Sequence, residues 1–279
     1  MKLEASADVI RKLHPLEFYK RFLPEGIRPD GRNLNKPRVT VISAGSLTTA
    51  EGSALVKLGS TSAICGIKAE VTIPADTEPQ CGKLVLSVEL PPLCSPNIQR
   101  WTDSVEQNSS LEVQIEDILL KTNVLNLEAL CIKDSSAVWV LYVDVYILEH
   151  DGNCFDAALL SVLTALTNVK LPEVEVNEEQ IVSIVEGGST QSLELNHYPI
   201  PLSFCILDDK LLVDPTSEEE ELSSTCFTIV YNNRGELCSL YKPGGKHIND
   251  DILEECKQTT LNRTEHIVKL MKQANEAKK

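Results

Sequence analysis

The sequence is poor in aromatic residues and in positive charge, and it has no long apolar run. Only 5% of its 279 residues are Phe, Tyr or Trp. Lys and Arg number 26 against 41 Asp and Glu, a net charge of −15. A free-standing nucleic-acid binder normally carries a basic field, so this balance argues against one. It leaves room for a nucleic-acid machine in which a partner supplies the positive charge. A membrane helix needs roughly 20 consecutive apolar residues. The longest candidate, Ala137 to Leu148, is shorter and contains Asp144. The opening MKLEASADVIRKLHPLEF has no apolar stretch of secretory-signal length. The expectation is a soluble, intracellular chain with no membrane partner.

Several local signatures are also missing. The nine cysteines include no CxxC and no pair at zinc spacing beside histidines. Many sit in apolar runs such as SAICGI and SFCIL, the usage of a reducing compartment. There is no GxSxG, no HExxH and no Walker loop, since Gly244-Gly245-Lys246-His247 lacks the spacing. The five histidines form no ligand pair, and His150 reads as a surface residue. No metal site and no cofactor are expected. No repeat of 20–50 residues is visible.

Alternation marks strands at 38–44, 53–58, 61–71 and 84–89, with Gly59-Ser60 as a hairpin turn. Proline-rich stretches at 74–82 and 91–104 read as loops. Residues 105–121 show helical spacing. The run 137–148 reads as a central strand covered on both faces, and 156–167 as a buried helix. Between them lies the turn Asp151-Gly152-Asn153. Further strands are expected at 202–207, 210–213, 225–231 and 236–241, with a long helix over about 249–275. The resulting division is a leader at 1–27 that packs on the core or a neighbour, a first domain at 28–170, a linker at 171–196 and a second domain at 197–279. Strands followed by helices, twice, indicate two α+β halves.

Three places could carry chemistry. Asp214 to Glu220 forms an acidic loop after a short apolar strand, suited to metal binding, to acid catalysis or simply to solvation. The turn at 151–153 opens a helix whose N–H groups could face an anion. The residues after it are Cys154, Phe155 and Asp156; Phe155 adds nothing to a phosphate, and Asp156 repels one and is better read as capping the helix start. Arg28-Pro29-Asp30-Gly31-Arg32 is a tight turn whose arginines could reach a phosphate or pair with an acidic neighbour.

These residues resemble the RNase PH-type subunits of the eukaryotic and archaeal RNA exosome ring. RPDGR at 28–32, GSALVKLGSTSAICGIKAEV at 52–71, VWVLYVDVYILEHDGNCFDAALLSVLTAL at 138–166, LLVDPTSEEE at 211–220 and KPGG at 242–245 carry the likeness, in the right order. The resemblance implies tandem βαβα units of the RNase PH type (ribosomal protein S5 domain 2-like). Active members attack the terminal phosphodiester of RNA with inorganic phosphate and release a nucleoside diphosphate. They hold the phosphate with an arginine and a hydroxyl at the helix-opening turn and use an acidic pair.

Carried over, Asp214 matches the first acid, and Glu220 or its neighbour Glu219 the second. The arginine position falls on Phe155 and the hydroxyl positions on Cys154 and Asp156. The arginine-rich loop falls near Pro91 to Arg100, where only Arg100 is basic. The resemblance therefore implies a non-catalytic ring subunit, with Asp214 and Glu220 vestigial. Its partners would be other RNase PH-like subunits in a six-membered ring, RNA-binding cap subunits, and RNA in the channel, touched by Arg28, Arg32 and Arg100. Cytoplasm and nucleus, including the nucleolus, are the implied compartments. The alternative is an active phosphate-dependent 3′-to-5′ exoribonuclease using Asp214 and Glu220. A third reading is an interaction module without an RNA role.

Overall fold

The computed structural model describes residues 11–74, 78–94, 101–134, 136–176, 182–184 and 190–277. The leader forms a short helix α1 (Pro15–Tyr19) and a single 3₁₀ turn at Leu23–Glu25, with proline at the start of each. Proline fits there because its missing N–H would be unpaired anyway. Tyr19 and Leu23 are buried against Cys205, Leu207 and Leu212 of the second half, so the leader is part of the core.

The first half is a sheet in the order β1-β2-β3-β6-β4, with β5 (Cys131–Lys133) also pairing β6. Strands β1 (Thr40–Ala44), β2 (Gly52–Leu58) and β3 (Thr61–Thr72) form an antiparallel meander. Strand β4 (Lys83–Glu89) runs parallel to β6 (Ala137–Glu149), and helix α2 (Trp101–Lys121) lies in the crossover. The loop expected over 91–104 thus ends early, because the helix begins at Trp101. The remainder, 95–100, lies outside the described residues, and Arg100 with it.

Strand β6 is covered on one face only over its second half. Tyr142, Tyr146 and Leu148 alternate outward and are exposed. The apolar run that suggested a strand covered on both faces includes these outward residues. Helix α3 (Cys154–Thr167) is buried over thirteen consecutive residues, as its all-round apolarity requires.

The stretch expected to be a linker contains two small antiparallel ribbons. Strand β7 (Lys170–Pro172) pairs β10 (Thr190–Ser192), and β8 (Val174–Val176) pairs β9 (Val182–Ile184). The second half is an antiparallel sheet in the order β12-β11-β13-β14: β11 (Ile200–Leu207), β12 (Lys210–Val213), β13 (Thr225–Tyr231) and β14 (Leu237–Tyr241). Asp208 and Asp209 both take positive φ, the primed hairpin geometry that Asp tolerates. A short helix α4 (Ser217–Leu222) links β12 to β13, and α5 (Asp250–Glu276) closes the chain.

Each half therefore runs strand, helix, strand, helix. One apolar cluster joins them: Ile67 and Leu141 of the first sheet, Leu159 of α3, Ile200 and Val230 of the second sheet, and Ile267 of α5. Helices α3 and α5 both lie in that shared core, and the head of α3 sits where the halves meet.

Candidate functional site

The turn before α3 reverses the chain tightly. Gly152 (φ 75°) and Asn153 (φ 54°) are both left-handed. A Cβ on Gly152 would lie 2.5 Å from the Ser217 N and 2.8 Å from the Pro215 O, so the acidic loop docks directly on this turn. Asn is among the few residues that adopt this backbone at low cost. Its side chain makes no cap on α3. The amide instead donates to Asp156 Oδ2 at 2.8 Å and to Asp214 Oδ1 at 2.7 Å. Its backbone N–H donates to Glu220 Oε1 at 2.7 Å. One asparagine thus gathers three carboxylates at a helix N-terminus, where the aligned peptide dipoles favour negative charge.

Asp214, fully buried at φ 56°, is saturated. Arg38 donates to it from Nε at 3.0 Å, from Nη2 at 2.8 Å and from its own backbone N–H at 2.7 Å. The rest of that guanidinium is spent on the carbonyls of Asp151, Gly152 and Pro215 and on Thr61 Oγ1. Burial pushes the Asp214 carboxyl up, but the Arg38 bonds and charge outweigh it and hold it below the ordinary range. Asp214 is a structural anion: it holds no proton to donate as a general acid, and its oxygens already accept four hydrogen bonds.

Asp156 does not cap its helix. It accepts from Ser203 N at 3.1 Å and Ser203 Oγ at 2.8 Å, tying α3 to β11. Burial raises its carboxyl to about 6. Burial also raises Glu220 to about 7, so this group is poised between charged and neutral near physiological pH. Glu219 forms the capping box of α4 with Thr216 and pairs with Arg28 at 3.1 Å. That places Glu220, rather than Glu219, against the helix head.

Arg28 is wholly buried. Besides Glu219 it donates to the carbonyls of Leu34, Val213 and Asp214. It ties the leader turn to the acidic loop and exposes no surface to RNA, which corrects its reading as an RNA contact. Arg32 keeps 13% of its side chain exposed and is tied to Asp30 and to the Asp214 carbonyl at 3.2 Å.

His150 is half-buried rather than a surface residue. Its Nδ1 accepts from the Gly152 N–H at 3.1 Å and meets Cys154 Sγ at 3.0 Å. Burial lowers the imidazole and pushes the Cys154 thiol well up, so the pair is neutral and not a thiolate nucleophile. One organising residue, Arg38, is not singled out in the sequence, and Asn153 is named there only as part of the turn at 151–153. Arg38 lies two residues before β1, and no local pattern marks it.

A cleft of about 380 Å³ opens over this point. His150, Asn153, Cys154, Phe155 and Glu220 line it, together with Phe204, Phe227 and Tyr241. No Lys or Arg among the described residues lines it. Nor does any group of three or more His, Cys, Asp or Glu among them suit a metal ion.

Two βαβα units sharing one core, with an acidic loop of the second locked onto the helix-opening turn of the first, define a duplicated α+β protein. The chain belongs to the 3′ exoribonuclease (RNase PH) family: domain 1 matches over residues 36–172 and domain 2 over 197–263. Within it, the leader HPLEFYKRFLPEGIRPDGR and the loop ELPPLCS are similar to the subunit called ribosomal RNA-processing protein 43. Exosome complex component rrp43 of Schizosaccharomyces pombe is 34% identical, over 94% of this chain and 97% of that protein. Exosome complex component Rrp42 of Methanopyrus kandleri is 32% identical, over 88% and 91%. Among solved structures, a chain of the Archaeoglobus fulgidus exosome with RNA bound to the active site aligns with a TM-score of 0.79 and 27% identity, covering 95% of this chain and 98% of that one.

Proposed function

We propose that this chain is a non-catalytic subunit of the RNA exosome ring, one that assembles with other RNase PH-like chains and RNA-binding cap subunits and supports 3′-to-5′ RNA processing and degradation. The relatives named as exosome components support the assembly. The observation that carries the lack of catalysis is the head of α3. Phe155 stands at the position to which the family resemblance assigns the phosphate-binding arginine, and Glu220 already occupies the anion-favouring N–H of Asn153.

Inorganic phosphate entering this cleft would meet a carboxylate and find no cation. Arg38, the nearest guanidinium described, has its donors committed to Asp214 and to three carbonyls. Losing one preorganised contact to developing charge costs roughly 10²–10³ in rate, and here the cation and the hydroxyls are replaced together. Asp214 and Glu220 serve instead to hold the acidic loop of the second half against the turn of the first.

The working division is a leader at 1–27, domains at 28–170 and 197–279, and a linker at 171–196 between them. Arg32, which keeps part of its side chain exposed, and Arg100 are the residues assigned to RNA. The compartments follow the complex: cytoplasm and nucleus, including the nucleolus. The net charge of −15 suits a subunit whose neighbours carry the basic surface.

The test is purification of the tagged chain under gentle salt, followed by native mass spectrometry and an assay for phosphate-dependent nucleoside diphosphate release by the pure chain. One stoichiometric particle with other RNase PH-like chains, and no release, is expected. A free monomer or homo-oligomer would overturn the assembly. Turnover by the isolated chain would establish the alternative, a phosphorolytic exoribonuclease.

A further inference from the structure

We infer that the cleft at the head of α3 is a receptor for a guanidinium group, inserted by an arginine side chain of a partner protein. The family's anion site has changed sign here. Asn153 is only 4% exposed and lines the cleft. Its two amide hydrogens are committed to Asp156 and Asp214, and its Oδ1 is buried without a hydrogen-bond partner. A buried acceptor left unpaired costs free energy, so an N–H donor arriving there is favoured.

Glu220 is the second acceptor. Its Oε1 takes the Asn153 N–H, and among the described residues Oε2 has no donor. No lysine or arginine among the described lining residues neutralises it. The lining also includes aromatic residues that a planar cation can meet, the partly exposed Tyr241 and the edge of Phe155, while the Phe204 and Phe227 rings stack on each other in the core. Guanidinium stacks on such rings and is less strongly hydrated than an ammonium, so it gives up water at lower cost. The cleft, at about 380 Å³, lies within the size range of small-ligand pockets.

An anionic ligand finds none of this: phosphate and RNA backbone have no donor cation here and meet Glu220. The inference goes beyond the ring-subunit reading and stands on the cleft itself, whichever protein brings the arginine.

The experiment is a titration of the full chain with N-acetyl-arginine methylamide, followed through the Leu90 and Leu111 methyl resonances, both residues lining the cleft. The uncharged citrulline analogue, the lysine analogue, inorganic phosphate and a short oligoadenylate are run alongside. Saturable shifts with the arginine probe, at least tenfold weaker for the citrulline and lysine analogues and for Glu220→Gln, are expected. Phosphate and oligoadenylate should leave both resonances in place.

No saturable shift, or an equal response to the citrulline or lysine analogue, would overturn the assignment. So would a response to phosphate or RNA. If Glu220→Gln fails to fold, the comparison of probes on the unaltered chain decides alone. Failure here with ring assembly intact leaves the proposed function standing, whereas phosphate-dependent turnover removes that reading separately.

Discussion

Arg38 and Asp214 are joined by three hydrogen bonds, although 176 residues separate them in the chain. The pair is buried and staples the segment leading into β1 to the loop that follows β12 in the second half. Removing one member strands the other charge in the interior. Arg38→Met is therefore expected to cost about 3–5 kcal/mol in urea denaturation. A loss no greater than that of an exposed pair, about 1 kcal/mol or less, would show that the staple is dispensable.

Glu220 makes stability depend on pH in a definite direction. Its folded carboxyl is raised to about 7, above that of the unfolded chain. Between those values the folded state binds the extra proton, so the group's contribution falls as pH rises toward 7. Glu220→Gln keeps an acceptor for the Asn153 N–H but cannot ionise. The variant should melt close to the parent at about pH 4, near the unfolded carboxyl's own value, and above it at about pH 8. A melting difference that stays constant across this range would contradict the buried, raised carboxyl.

Gly152 is required twice, by its positive φ and by the lack of room for a Cβ. Gly31 has a similar φ of 84° but nothing within 4 Å. Gly31→Ala should show only the backbone strain, about 1 kcal/mol. Gly152→Ala adds a backbone clash with Thr216 and Ser217 and should lose several times as much in thermal unfolding. Equal losses would mean that the acidic loop is not seated on the turn in solution.

Phe155→Arg restores the cation that the resemblance places at this position. We expect no phosphate-dependent release of nucleoside diphosphate, because the new arginine would pair with Glu220 and no other free cation lines the cleft. Detectable turnover by this variant would show that a single residue blocks catalysis.

Leu23 carries the leader into the core beside Cys205 and Leu207. Leu23→Ala is expected to cost about 2–5 kcal/mol, the range for a buried leucine. A near-neutral result would make the leader a surface appendage that only a neighbouring subunit holds.

Most elements were legible in the sequence because alternation and helical spacing are local properties. The strands at 61–72 and 225–231 and the buried helix at 154–167 agree with their patterns to within about two residues. The ribbons at 170–192 were not legible, since three-residue strands carry too little pattern. The outward tyrosines of β6 were hidden for the opposite reason: aromatic side chains read as apolar whichever face they take.

The sequence by itself determined the two-unit α+β order, the turn at 151–153, the acidic loop and the absence of an arginine at Phe155. Only the tertiary structure decided what the charged residues do. Arg28, read as a candidate RNA contact, became a buried tie, Asp156 left its own helix for Ser203, and Arg38 emerged as the clasp of Asp214. The physical reason is that a buried charge must find its partners wherever the fold brings them. Those partners lie tens to hundreds of residues away, beyond the reach of any local pattern.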